Sequence, residues 1–257
     1  MMNKTLAFSK RNLLEMARDP LSWIFCVAFP LVMLIIMTVV NTAIPKEAGM
    51  TIFRIDNLAG GIAVFGQMFV MLFTAIGLAK DRESSFLVRL YSSPMKNRDF
   101  LMGYLLPMIV TAVIQVTASF IVALVIALIT GYEISVLGLL LCIVMVIPSA
   151  LMFSSLGLLF GTLLNEKAAP GICSILISVG SMLGGIWFDV EGVGGIMQKA
   201  AKCMPFYYAT RIARSAIDLD FGMDTFILPL IVMVCCALVI TVLAGVVFGH
   251  RMRSDLK

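Results

Sequence analysis

Apolar residues gather in long unbroken runs, at 21–44, 58–79, 101–129, 136–164, 168–187 and 226–249, and charged residues fall between them. A helix needs about 20 mostly apolar residues to cross the roughly 30 Å hydrocarbon core, and each run reaches that length. None alternates with a period of two, which excludes a β-barrel. The pattern predicts an all-α integral membrane protein with six transmembrane helices in one membrane domain over residues 1–257. The runs at 101–129 and 136–164 exceed one crossing, so those helices are expected to tilt or protrude.

Residues 3–18 are patterned differently. Leu6, Leu13, Leu14 and Ala17 fall near helical spacing among Lys4, Lys10, Arg11 and Arg18. This predicts an N-terminal interfacial helix lying on the inner membrane surface; an ordinary basic tail is the alternative. The polar and mixed residues before Trp23, and the length of the run after it, do not fit a secretory signal peptide. Basic residues crowd the N-terminal tail, the 80–100 loop and the C-terminal tail, where Arg251, Arg253 and Lys257 stand. Both termini are therefore expected to be cytoplasmic. The location this implies is the plasma membrane, as a multi-pass protein of a bacterial-type inner or cell membrane.

Composition sharpens the class. Hydrophobic residues make up 61% of the chain and charged residues 13%, far from the near half and quarter of soluble domains. The net charge of +4 follows from the loop asymmetry and is no sign of nucleic-acid binding. No Asp, Glu, Lys or Arg lies within a predicted span, so a proton- or ion-driven carrier lacks the buried charge it usually needs. The dipeptide Gly-Lys never occurs, which removes a phosphate-binding loop. One histidine, His250, cannot build a hydrolytic triad or, with cysteines lying mostly inside spans, a metal site. No catalytic residue and no bound cofactor are expected. Uphill transport would have to draw its energy from another polypeptide.

Residues 80–100 are the most charged stretch and still hold apolar positions. Phe86, Leu87, Leu90 and Tyr91 occupy one face of a short helix that Pro94 stops. Such a helix facing the cytosol suits a groove on a partner; a solvated loop on lipid headgroups is the equal alternative. Asp81, Arg82, Glu83, Ser85, Leu87, Leu90, Ser93 and Pro94 resemble the segment after the second span of ABC-2 type transporter permeases, the membrane subunits of ATP-binding-cassette exporters. Ser85 departs from the glycine frequent there. The full-length layout is similar too: the interfacial helix, six spans, Gly184-Gly185-Ile186-Trp187-Phe188 opening a long last outer loop, and Met204-Pro205-Phe206 near its end.

The resemblance implies a half-transporter. Two such chains, identical or related, pair above two separate ABC ATPase subunits that hold ATP and Mg. The segment made of Asp81, Arg82, Glu83, Phe86, Leu87, Leu90, Tyr91 and Pro94 acts as the coupling helix in a cleft of the ATPase. Residues 188–203 form an outer re-entrant segment, with Gly184, Gly185, Phe188, Gly192 and Pro205 as its marks; a flexible loop is the alternative. The passage lies between the two chains along spans two and five. That points to Phe65, Gln67, Phe69 and Phe73 on span two, and to Ser178, Ser181 and Met182 on span five. Plain helix packing explains each of these residues singly. Spans without fixed charge favour a hydrophobic or amphipathic cargo of drug, lipid or lipopeptide type, nearest the antibiotic- and multidrug-resistance branch. Export of a polysaccharide or lipid-linked glycan, an ion-driven secondary transporter, and a membrane anchor without transport are the rivals.

Overall fold

The computed structural model describes residues 2–45, 51–84, 86 and 95–255. Helices account for the described residues' regular structure, and no strand occurs among them. In chain order they are α1 (Met2–Arg18), α2 (Pro20–Ala43), α3 (Ile55–Glu83), α4 (Asn97–Thr130), α5 (Val136–Leu163), α6 (Ala169–Leu183), α7 (Val190–Val193), α8 (Gly195–Lys202), α9 (Pro205–Ile217) and α10 (Leu228–Asp255). Five helices are long and apolar enough to cross a membrane: α2, α3, α4, α5 and the segment Met223–Met252 that contains most of α10. The run expected to be the fifth span is shorter as a helix. α6 has 15 residues, about 22 Å of rise, which falls short of the hydrocarbon core.

α3 is the hub. In its most apolar window 78% of residues are buried, against 17% in α2 and 17% in the last span. Helices α2, α4, α5, α6 and α9 all pack against it. Lipid tails are as apolar as leucine, so the close approach of these helices must come from shape and hydrogen bonds. Glycine supplies the shape. A Cβ on Gly157 would lie 2.3 Å from the Met71 carbonyl oxygen, and one on Gly161 would lie 2.6 Å from that of Ala75. These glycines, four residues apart, let α5 lie directly on the α3 backbone. Buried amides supply the bonds. Gln67 donates to the Val146 carbonyl (3.3 Å) and accepts from Ser149 Oγ (2.7 Å). It braces α5 where Pro148, lacking an N–H, interrupts the helix at Val146. Gln115 of α4 donates to the Ile62 carbonyl (3.4 Å) and to Ser119 Oγ (3.1 Å).

α2 begins with a widened turn, Ile24–Ala28, just before Pro30. The ring of Pro30 takes no part as a donor, and the backbone bond shifts to Phe29 N–H and Ile24 O. Asp19 starts the helix by accepting from the Leu21 and Ser22 amides, with Pro20 in the first position.

α1 and the end of α10 meet at one end of the bundle, where Phe8, Phe100, Tyr104, Phe248 and Met252 form a common cluster. The face of α1 turned to the bundle is Phe8, Asn12 and Met16, a four-residue spacing. Leu6 and Leu14, the predicted apolar face, stay 50% and 44% exposed. The helix thus has two apolar faces, one against the bundle and one turned away. Asn12 fixes the first by donating to the Gly103 carbonyl (3.0 Å).

At the far end, α9 fills the space between α3, α5 and α10. The expected re-entrant stretch 188–203 covers α7 and α8, and the helical excursion runs on to Ile217. Gly194 and Gly195 carry φ of 66° and 61° between α7 and α8, a conformation that L side chains resist. Gly138 of α5 receives α9 so closely that a Cβ would stand 2.1 Å from the Ile217 carbonyl oxygen.

Candidate functional site

The sequence singled out the run Asp81-Arg82-Glu83, and the structure gives each member a separate neighbour. Arg11 of α1 reaches Asp81 with two bonds, Nη1 to Oδ2 at 2.9 Å and Nη2 to Oδ1 at 3.2 Å. Tyr104 of α4 donates its hydroxyl to the same carboxylate at 2.6 Å. Arg82 turns the other way. Its Nη1 donates to the carbonyls of Gly161 (3.0 Å), Leu164 (3.3 Å) and Thr162 at the end of α5. Those carbonyls have no partners within their own helix, and a cation there also suits the helix dipole. Glu83 Oε1 accepts from the Glu166 amide at 2.8 Å, in the α5–α6 connection.

Three consecutive charges therefore clamp the last turn of α3 to α1, α4, the end of α5 and the α5–α6 connection. Burial alone disfavours the Arg11 cation, but the bond and charge of Asp81 outweigh it and hold the guanidinium above its usual value. Arg11 also pairs with Glu15 (2.7 Å) and lies 4.2 Å from the centre of the Phe86 ring. Phe86 in turn stacks on Phe8 at 6.5 Å. Ser85, Leu87, Leu90, Tyr91, Ser93 and Pro94 of the expected coupling helix lie outside the described residues.

Asp81→Ala is expected to leave Arg11 and Tyr104 without their acceptor and to loosen α1 from the bundle. With Arg11 35% exposed, the loss is about 1–3 kcal/mol. Faster amide exchange confined to α1 checks it; unchanged exchange there would show that Phe8 and Asn12 hold α1 without the ion pair.

Beside this clamp lies a cavity of about 560 Å³. Phe25 of α2 and Phe69, Phe73 and Gly77 of α3 line its apolar part, with Pro170 and Ser174 from α6. Of the residues expected along a passage, Phe69 and Phe73 reach this cavity. Phe65 packs instead against Phe29, Phe69 and Trp187 at 5.0–6.0 Å. Gln67 is buried against α5, as described above. Ser178 is exposed and bonds to the Ser174 carbonyl, Ser181 is buried and bonds to that of Ser178, and Met182 is 44% exposed. None of these last three lines the cavity, to which α6 contributes its opposite end.

The residues expected at the re-entrant segment cluster at the far end. Gly184 and Gly185 end α6, where φ of 71° at Gly185 reverses the chain. Phe188 is 45% exposed, Gly192 lies in α7, and Pro205 opens α9. A polar cavity of about 270 Å³ sits among them, and Arg214 lines it. Arg214 donates from Nε to the Asn57 carbonyl (3.1 Å) and from Nη2 to that of Gly185 (2.9 Å). Burial pulls its guanidinium down to about 10 against the opposing pull of Asp189, Asp218, Asp56 and Glu191, so it stays charged at neutral pH. Nearby, Arg211 and Tyr207 both donate to Glu191 and join α9 to α7.

Arg11, Tyr104, Phe25 and Arg214 were not read from the sequence as site residues. Arg11 registered there only among the basic residues of the N-terminal helix, and Arg214 was not singled out. The spacing of Phe206, Thr210, Ala213 and Ile217, every third or fourth residue, is the signal that places Arg214 on a packed helix.

A bundle with five membrane-length apolar helices, a helix strapped beneath it and a charged clamp at one end defines a multi-pass membrane protein. The sequence pattern of the ABC-2 type transporter family matches residues 3–217, and the chain belongs to that family. It is also similar to "Putative transport permease YvfS" of Bacillus subtilis (strain 168), at 22% identity over 170 residues, 66% of this chain and 67% of that protein.

Proposed function

We propose that this chain is the permease subunit of an ATP-binding-cassette exporter and moves a hydrophobic or amphipathic compound. One membrane domain spans 1–257, and α6 with the α7–α9 excursion stands in for a sixth full crossing. Two permease chains pair over two separate ATPase subunits, which carry ATP and Mg; this chain transports and does not hydrolyse. The end bearing both tails faces the cytosol of a plasma membrane, as the basic tails favour. The cargo is of the drug, lipid or lipopeptide kind handled by the multidrug-resistance branch.

The observation that carries this reading is the clamp at Asp81, Arg82 and Glu83. A segment that takes force from a partner can pass it on only if its root is rigid. Here the root is tied at four places at once, so a push on residues 84–94 is delivered to α1, α4, α5 and the α5–α6 connection together. The phenylalanine-lined cavity beside the clamp supports a cargo with an apolar body.

The test is reconstitution of the chain with its ATPase and measurement of hydrolysis and uptake. Amphipathic drugs are expected to stimulate hydrolysis. Stimulation by sugar-lipid precursors alone would transfer the cargo to the glycan class, and uptake without any ATPase subunit would end the exporter reading. Glu83→Ala and Leu87→Ala are expected to lower transport about five- to tenfold, the lower part of common coupling energies, while hydrolysis continues and the complex still inserts. Equal transport in the variants and the parent would remove the segment from coupling.

A further inference from the structure

The cavity beside the clamp has a charge pattern that the spans lack, and it deepens the exporter reading on which it rests. Its floor is aromatic, with Phe25, Phe69 and Phe73. Four acidic residues line it too, Glu15, Asp19, Glu166 and the buried Asp81, and Lys80 is the one base among the described lining residues. Arg11, just outside the lining, serves Asp81 and Glu15. Asp19 and Glu166 make no ion pair among the described residues. Asp19 accepts from the Leu21 and Ser22 amides and the Ser22 hydroxyl, which are neutral donors and leave its charge in place. Glu166 is bound through its backbone, whose amide donates to Glu83.

We propose that this cavity selects amphipathic cations. The positive group sits by Asp19 and Glu166, and the apolar or aromatic body lies on Phe25, Phe69 and Phe73. The volume lies within the roughly 300–1,000 Å³ of drug-sized sites. Aromatic faces accept both a hydrocarbon body and a neighbouring cation. An anionic amphiphile of the same shape meets the same floor and is repelled by those carboxylates. An anionic lipid headgroup is disfavoured for the same reason.

The experiment compares tetraphenylphosphonium with tetraphenylborate, two bodies of nearly one shape and opposite charge. Equilibrium binding is measured on the full-length chain in nanodiscs of phosphatidylcholine, with empty discs subtracted. The cation is expected to bind at least about tenfold tighter, and the preference is expected to shrink in high salt. Asp19→Asn combined with Glu166→Gln keeps a good helix cap and removes two charges. It is expected to weaken the cation about fivefold and leave the anion unchanged or improved. Gly77 has open space where a side chain would stand, so Gly77→Phe is expected to fill the cavity and weaken both ions.

Equal binding of the two ions by the parent chain, or a double variant that keeps the full preference, would overturn the assignment. So would a Gly77→Phe chain that binds the cation as before, because the site would then lie elsewhere. ATP-driven uptake in the reconstituted complex separates the two readings. Uptake of neutral amphiphiles with no cation preference overturns the charge assignment alone. Cation binding with no ATP-driven uptake of any amphiphile supports the site and removes the exporter.

Discussion

Gly157→Val is expected to cost about 3 kcal/mol or more and to abolish recovery of folded protein. Overpacking of a core is ordinarily worth about 1–3 kcal/mol. Here the first added carbon would stand 2.3 Å from a main-chain oxygen and 2.7 Å from Thr74 Cβ. A helix backbone has little freedom to retreat, so α5 must lift from α3 along its length. Gly161 adds the same constraint one turn on. Gly171 is the control, because a Cβ there meets nothing within 4 Å. Gly171→Ala is expected to be neutral or stabilising by about 0.5–1 kcal/mol, since alanine favours the helix. Thermal unfolding in detergent, followed by size-exclusion recovery, distinguishes the two. A Gly157→Val chain as stable as the parent would mean that α3 and α5 do not touch through this face.

Arg214→Met is expected to cost about 2–4 kcal/mol, the loss of two bonds from a charged donor with its acceptors left behind. The side chain is a strut rather than a surface charge. It ties α9 to the first turn of α3 through the Asn57 carbonyl and to the α6 turn through that of Gly185. Its positive charge also adds to that of Arg54 and Arg211 in offsetting Asp189, Asp218, Asp56 and Glu191. Asp218 already sits above the usual carboxylate range, from burial first and then from Asp56. Lysine cannot bridge two diverging carbonyls as the planar guanidinium does, so Arg214→Lys is expected to recover only part of the loss. Amide exchange across α7, α8 and α9 reads the effect directly. Protection there equal to the parent's would show that packing of Phe206, Ile212 and Ile217 suffices.

These two sites differ in how far they could be read beforehand. Arg214 carried a plain signal, an amphipathic repeat in a segment too polar to be a span. What that repeat could not supply was its target: a helix excluded from lipid by its charges still has to pack somewhere, and α3 and α5 lie more than forty residues away in the chain. Gly157 carried almost none. Gly60, Gly61, Gly66 and Gly77 sit in the neighbouring span with equal prominence, yet a Cβ on Gly77 meets open space while one on Gly157 meets backbone. Which glycine is a contact depends on how the helices are turned, and rotation leaves no mark on a uniformly apolar run.

The membrane class, the helical content, the N-terminal helix and most helix positions were determined by the sequence alone. Desolvating backbone in lipid costs so much that long apolar runs have essentially one solution. The singling out of Asp81, Arg82 and Glu83 also came from sequence, through the resemblance of the run 81–94 to the family's segment after the second span. Only the tertiary structure decided what those charges hold, that α6 stops at Gly184, and that α3 is the hub. It alone brought Asp19 and Glu166, far apart in the chain, into the lining of one cavity with Phe25, Phe69 and Phe73. Each of these is a long-range pairing set by shape complementarity between helices, and hydrophobicity along a chain records depth in the membrane but not neighbours.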